Sequence, residues 1–270
     1  MVALSWVAAV VACLGYGVAS VLQSEGARRT AQRTGAAGLA AIVVQLPYLA
    51  GLAADAVAFV ANVVALRELP LFLVQSVVTA SVGVTALVAR IRGERLGRRD
   101  WTALGVLGLG LLLLCLTASP ERAVRVPPAV QWAILLSVVV PLAVALVGSR
   151  LPRGSSGLVL AAAAGLAWTG VASASRALSA DRVSWHLLGQ PLVWAVVVQG
   201  VVGTVSFALA LQRGSVTRVS AMTFMLEMVV PSLLGPWLFG DAVAPGRLPW
   251  AVLGFLLTAT GTVGLVRYAE

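Results

Sequence analysis

The sequence predicts an all-α, polytopic transmembrane helix bundle of about nine spans, with ten as the alternative, built from two inverted repeats. Three observations predict it: a composition that needs lipid, a series of long apolar runs divided by arginine-bearing breaks, and an internal duplication. The 270 residues are 60% hydrophobic and 11% charged, with a mean hydropathy of +0.97. A soluble domain is about 45–50% apolar and about 25% charged, so no soluble fold hides this much apolar surface. All 19 basic residues are arginine, and the net charge is +9. These arginines punctuate apolar runs instead of gathering on one solvated face. That is how inner loops of membrane proteins look, and it excludes a nucleic-acid interface.

A helix needs about 20 apolar residues to cross the hydrocarbon core. Nine runs qualify: 2–23, 47–66, 70–89, 101–118, 129–148, 156–175, 191–211, 216–239 and 248–266. The first run lacks a basic leader and exceeds the roughly 7–15 apolar residues of a signal peptide, so it is read as a retained span. Breakers and charges fill the connections, among them Arg28-Arg29, Arg98-Arg99-Asp100, Pro127-Pro128, Pro152-Arg153-Gly154 and Pro245-Gly246-Arg247. The stretch 34–46 is apolar but only 13 residues long, so it is either a short tenth span or an interfacial or re-entrant piece. Arginine placement separates the two. Nine spans put 13 arginines on one side and 6 on the other, whereas a tenth span levels the split to 10 against 9. The positive-inside rule favours nine, with the N-terminus outside and the C-terminus inside a bacterial cytoplasmic (inner) membrane. Cys13 and Cys115 fall inside apolar runs, as small buried hydrophobes do, and indicate no disulfide framework.

The duplication joins a repeat at 1–120 to one at 128–268. In the first copy, Ala65-Leu66 turns through Arg67-Glu68-Leu69-Pro70 into a span closing on Gly93-Glu94-Arg95-Leu96. In the second, Ala210-Leu211 is followed by Gln212-Arg213-Gly214 and a span closing on Phe239-Gly240-Asp241. The copies lie 145 to 147 positions apart. They fall on spans 2–3 and 7–8, an odd offset of five, so they face opposite ways through the membrane. Inverted repeats suit a machine that opens alternately to each side.

The runs ALRELPLFLVQ…GERLGRRDWTALGVLGLGLLLL and ALQRGSVTRVSA…MLEMVVPSLLGPWLFGD resemble the drug/metabolite transporter superfamily, whose EamA-like repeats carry such a turn and such a span end. Glu227 stands where those repeats carry a mid-span Glu-Pro; Met228 replaces the proline, and Asp241 replaces the closing glutamate. One span of the first repeat is lost or shortened, which makes the chain more similar to nine-span, NIPA-like magnesium transporters. The resemblance covers about residues 47–268 and implies a carrier of small solutes.

Of the ten acidic residues, only Asp55 and Glu227 fall deep within spans. A charge at the bilayer centre costs about 2.5–3.5 kcal/mol on insertion scales, so each needs a partner, a proton or a solvated cavity. The alternative is a neutral, hydrogen-bonded acid holding helices together. Helical spacing gives polar stripes: Ser220, Thr223, Glu227 and Pro231; Asp55 and Asn62; Gln75, Thr79 and Gly83; Gln199, Gly203 and Ser206; Thr169, Ser173 and Arg176; Tyr16, Ser20 and Gln23. Each stripe alone reads equally as glue between membrane helices, but several together would line a polar cavity. The candidate substrate or coupling-ion residues are therefore Glu227, Asp55, Asn62, Gln75, Thr79, Thr223, Gln199 and Tyr16. Pro231 and Pro236 would kink span 8 or free carbonyls near Glu227. Arg176, near the end of its span, reads as a snorkelling side chain. His186 reads as an outer-loop residue beside Trp185, Asp100 as a helix cap, and Glu94 as a headgroup-level partner of the surrounding arginines.

Gly105, Gly108 and Gly110 echo a phosphate-binding loop but follow no strand, so they are read as packing glycines. A single histidine and two distant cysteines offer no metal or nucleophile motif, so no enzyme and no cofactor are expected. The leading expectation is a secondary transporter that moves a small metabolite by alternating access, coupled to a proton or cation through Glu227. The alternatives are a NIPA-like magnesium or divalent-cation permease, and a lipid-linked sugar flippase or accessory membrane protein. The partners expected are a small-molecule or ion substrate and the lipid bilayer, with a homodimer left open and no nucleic acid.

Overall fold

The computed structural model describes residues 2–28, 44–91, 97–119, 123–180, 188–213 and 216–268. Among these lie eleven helices: α1 (Val2–Arg28), α2 (Leu46–Ala65), α3 (Leu71–Thr79), α4 (Ser81–Ile91), α5 (Arg98–Thr117), α6 (Pro128–Leu136), α7 (Val139–Arg150), α8 (Arg153–Leu178), α9 (Pro191–Arg213), α10 (Val216–Phe239) and α11 (Leu248–Tyr268). Eight helical segments are long and apolar enough to cross a membrane, counting α3–α4 and α6–α7 as one segment each. The last helix contributes a shorter apolar stretch, Leu248–Gly264. The chain is thus a polytopic membrane helix bundle. The stretch 34–43, most of the alternative tenth span, lies outside the described residues, as do Glu94, with its expected pairing, and His186.

Burial runs in the sense that lipid dictates. Many fully buried positions along the spans are small, such as Ala12, Ala19, Ala58, Ala164 and Ala167, beside larger ones such as Leu73 and Leu160, while Leu112, Val139, Leu233 and Trp237 are exposed on the outside of the bundle. In lipid, helices gain little by hiding leucine and associate instead by close backbone approach over small residues. α5 and α11 show this most clearly. A Cβ at Gly110 would lie 2.5 Å from the Thr258 amide nitrogen, and one at Gly261 would lie 2.6 Å from that of Leu107. Gly105 and Gly108 differ from the packing role expected of them: both face open space.

Two expected spans are broken. Ala80 divides α3 from α4, with Gly83 N–H donating to the Ala80 carbonyl at 2.8 Å in a tightened turn. Ser137-Val138 divides α6 from α7. The second break has a cause in the sequence, because the Pro141 ring sits where the Ser137 carbonyl would take its i+4 donor.

The helices pair in a regular way. α1 packs along α2 and α8 along α9; α1 also meets α3–α4, as α8 meets α10; α3 meets α10, and α5 meets α11. At one end of the bundle the described connections are tied together. Ala123 N–H donates to the Arg67 carbonyl at 2.9 Å, Ala244 N–H to Thr117 at 3.0 Å, and Ala118 forms an antiparallel bridge with Val243.

Candidate functional site

The two mid-span acids lie within electrostatic reach of each other. α2 carries Asp55 and α10 carries Glu227; both are half-buried, and each lies within electrostatic range of the other. The Tyr16 hydroxyl on α1 feels both carboxyls, and Tyr48 at the start of α2 feels Asp55. Gln23, two turns beyond Tyr16, donates its Nε2–H to Asp55 Oδ2. The span-1 stripe of Tyr16 and Gln23 therefore points at the acid, while the Ser20 hydroxyl turns back onto the Tyr16 carbonyl at 2.8 Å. α2 and α10 make no extensive contact, so the acids come within electrostatic range of each other from the two halves of the chain without their helices packing together. Two carboxyls that share a field hold one negative charge readily and the second only with an offsetting proton or cation. Pro231 removes the i+4 donor of the Glu227 carbonyl, yet α10 runs unbroken through Pro231 and Pro236.

The other candidate residues sit elsewhere. Thr223 is buried and donates to the Ala161 carbonyl at 3.1 Å, so it joins α10 to α8. Gln199 is buried against Gly170 and donates Nε2–H to the Ile134 carbonyl at 2.9 Å and to Ser137 Oγ at 3.3 Å. It thereby serves the Ile134 carbonyl and the Ser137 hydroxyl at the α6–α7 break. Asn62, Gln75 and Thr79 are buried, and Asn62 Oδ1, Gln75 Oε1 and Thr79 Oγ1 have no hydrogen-bond partner among the described residues. Thr79 and Thr262 line a small apolar cavity with Phe224 and Met228. A cavity of about 300 Å³, lined by Arg125, Gln131 and Gln190, opens near the start of α6 and is remote from the acids in the chain.

A second polar centre was not anticipated. Arg176 does not snorkel: it is 1% exposed, and its Nη2 lies 2.6 Å from Asp241 Oδ1 in an ion pair whose acid side chain is fully buried. Arg176 Nη1 donates to the Leu66 carbonyl, and Leu71 N–H donates to Asp241 Oδ2 at 2.5 Å. The pair thus supplies both ends of the buried turn between α2 and α3, whose Leu66, Leu69 and Leu71 are all 0% exposed. A buried turn has backbone groups that must find partners, and here they come from α8 and from the end of α10. Gly240, at φ +68°, adopts the left-handed conformation that ends α10 and brings Asp241 N–H back to the Gly235 carbonyl at 3.3 Å. Burial pushes the Asp241 carboxyl above the usual carboxylate range, and the Arg176 guanidinium and Leu71 amide pull it back. The sequence signals for this centre were the repeat end Phe239-Gly240-Asp241 and the polar stripe of Thr169, Ser173 and Arg176.

At the start of α5, Asp100 Oδ2 accepts the Gly97 amide at 2.7 Å, the capping role expected of it.

Comparison of the chain with protein-family models, with curated proteins and with solved structures gives no match in any of the three.

Proposed function

We propose that this protein is a secondary transporter of the drug/metabolite transporter type, moving a small metabolite across the cytoplasmic membrane by alternating access. A proton or cation couples to transport through Glu227, with Asp55 as its counterpart. The observation that carries this reading is the approach of Asp55 and Glu227 from the two halves of the chain, across helices that do not pack on each other. Intramembrane carboxyls mark ion and substrate pathways.

The helix pairing supports an inverted repeat. Advancing each span by five, with α3–α4 and α6–α7 each taken as one span, turns α1·α2 into α8·α9 and α1·α3–α4 into α8·α10. Exchanging the two halves in the same register maps α3·α10 and α5·α11 onto themselves. A two-fold axis in the membrane plane has this effect, and sites in such carriers lie at the repeat interface near the midplane. With nine spans, the end bearing the Leu66–Pro70 turn faces outward and the arginine-rich end inward.

The test is charge movement in proteoliposomes challenged with amines, amino acids, nucleobases and magnesium. A solute-dependent current absent from Glu227→Gln supports the carrier and places its site; a current of equal size in the variant removes Glu227 from coupling. A second reading, a divalent-cation permease, draws on the same pair, because magnesium binds through one or two carboxylates and retained waters. Among the described residues no third metal-ligating side chain joins the two acids. Magnesium-dependent stabilisation lost in Asp55→Asn would favour that reading.

A further inference from the structure

We infer that the Arg176–Asp241 pair is the latch of an outer gate, and that the structure has this gate shut. The inference rests on the carrier reading above. Several hydrogen bonds between the two halves of the chain lie at the end of the bundle that holds the pair. They are Arg176 to the Leu66 carbonyl, Leu71 N–H to Asp241, Ser179 Oγ–H to the Val63 carbonyl at 3.1 Å, Arg247 to the Leu116 carbonyl, and Ala244 N–H to Thr117. At the opposite end Arg213 donates to the Ser149 carbonyl and to Ser156 Oγ, both in the second half. A carrier with its site between halves closes one end while the other parts, and the end that holds the pair is bonded across the halves.

The ground beneath the pair tells the same story. One turn from Arg176 along α8 lies Ser173, and one turn from Leu71 along α3 lies Gln75. Both are buried, and Ser173 Oγ and Gln75 Oε1 have no hydrogen-bond partner among the described residues. Thr169, a further turn along α8, donates to the Gly165 carbonyl at 2.9 Å, and its Oγ1 also lies 3.4 Å from the carbonyl of Leu226, the neighbour of Glu227 in the chain. A polar file therefore runs from the latch toward the acid. Buried groups without partners are costly, and they are satisfied when an open gate lets water or substrate into the file. A structural ion pair needs no such file. Arg176 also binds the turn that links α2, the helix of Asp55, to α3, so breaking the pair frees both halves together. The pair thus switches access to the site and is a positioning element, with no contact to substrate required.

The experiment uses Ser173→Cys in a background carrying Cys13→Ala and Cys115→Ala, with a membrane-impermeant maleimide applied to right-side-out and inside-out vesicles. With the pair intact, labelling from the outer face is slow; with Asp241→Asn added, it rises at least tenfold. A folded Asp241→Asn protein whose outer labelling is unchanged overturns the latch and leaves the pair a staple. A second variant keeps the pair and asks the same question. Ala118→Cys with Val243→Cys places two cysteines at a bridged antiparallel position, within disulfide reach. Oxidation should suppress solute uptake at least tenfold and reduction should restore it; uptake indifferent to oxidation overturns the proposal. If no form transports any solute while the labelling contrast persists, the gate stands and the carrier reading falls.

Discussion

Removing Asp241 should cost far more than an ordinary polar substitution. The Arg176 side chain is 1% exposed and that of Asp241 0%, and the carboxylate takes both the guanidinium at 2.6 Å and the Leu71 amide at 2.5 Å. Asp241→Ala leaves a cation without its counter-charge in a dry setting, which costs about 3–5 kcal/mol. At about 2–4 °C per kcal/mol for a chain of this order of size, the unfolding midpoint should fall by about 6–20 °C. Arg176→Met should lose a similar amount, because it strands the carboxylate and unpairs the Leu66 carbonyl. The double variant Arg176→Met/Asp241→Leu removes both charges, and apolar replacement of a whole buried pair is often nearly neutral. Its remaining loss comes from the unpaired Leu66 carbonyl and Leu71 amide, about 1–3 kcal/mol each. The double variant should therefore be no less stable than the worse single. Thermal unfolding in detergent, followed by tryptophan fluorescence, reads all four proteins. Single variants within about 2 °C of the parent, or singles whose losses simply add in the double, would refute the reasoning.

Other outcomes follow from local geometry. Gly110→Ala should destabilise by about 1–3 kcal/mol by forcing α5 off α11, while Gly108→Ala, which meets nothing within 4 Å, should be neutral or stabilising; paired unfolding scans separate them. Gly240→Ala should cost about 1–2 kcal/mol for a left-handed residue with a Cβ and should also weaken the Asp241 contacts. A loss in Gly240→Ala that persists unchanged in an Asp241→Ala background would assign the whole effect to backbone strain. Gln23→Ala should alter the pH dependence of any solute-driven current, since it strips Asp55 of its hydrogen-bond donor; an unchanged profile would make Gln23 a bystander.

Much of this was legible in the chain. Hydropathy found the spans to within a few residues, and α10 begins and ends where its apolar run does. Mid-span acids were conspicuous because lipid makes them costly, and the stripe holding Tyr16 and Gln23 already pointed its face. Periodicity gives a face but not what that face meets. Thr223 and Gln199 therefore belonged to polar stripes in the sequence, yet in the fold they turn to the α8 backbone and the α6–α7 break. The break near Ser137 had its sign in Pro141, four residues on; that at Ala80 had no proline to mark it. Arg176 was misjudged because its place near a span end suggested access to water. Its partner lies 65 residues further along the chain, and no local pattern announces a contact of that separation. Gly105 and Gly110 are alike in sequence and differ only in the side of α5 they occupy.

The central claim is that Asp55 and Glu227 form one acidic site shared by the two halves. The most direct measurement is solute-driven proton or charge movement in proteoliposomes of the native protein, Asp55→Asn, Glu227→Gln and the double variant. The account predicts a current in the native protein, loss of its pH dependence in Glu227→Gln, and a double variant no worse than Glu227→Gln alone. Losses that multiply in the double variant, or a Glu227→Gln protein that carries solute with the native pH profile, would contradict it.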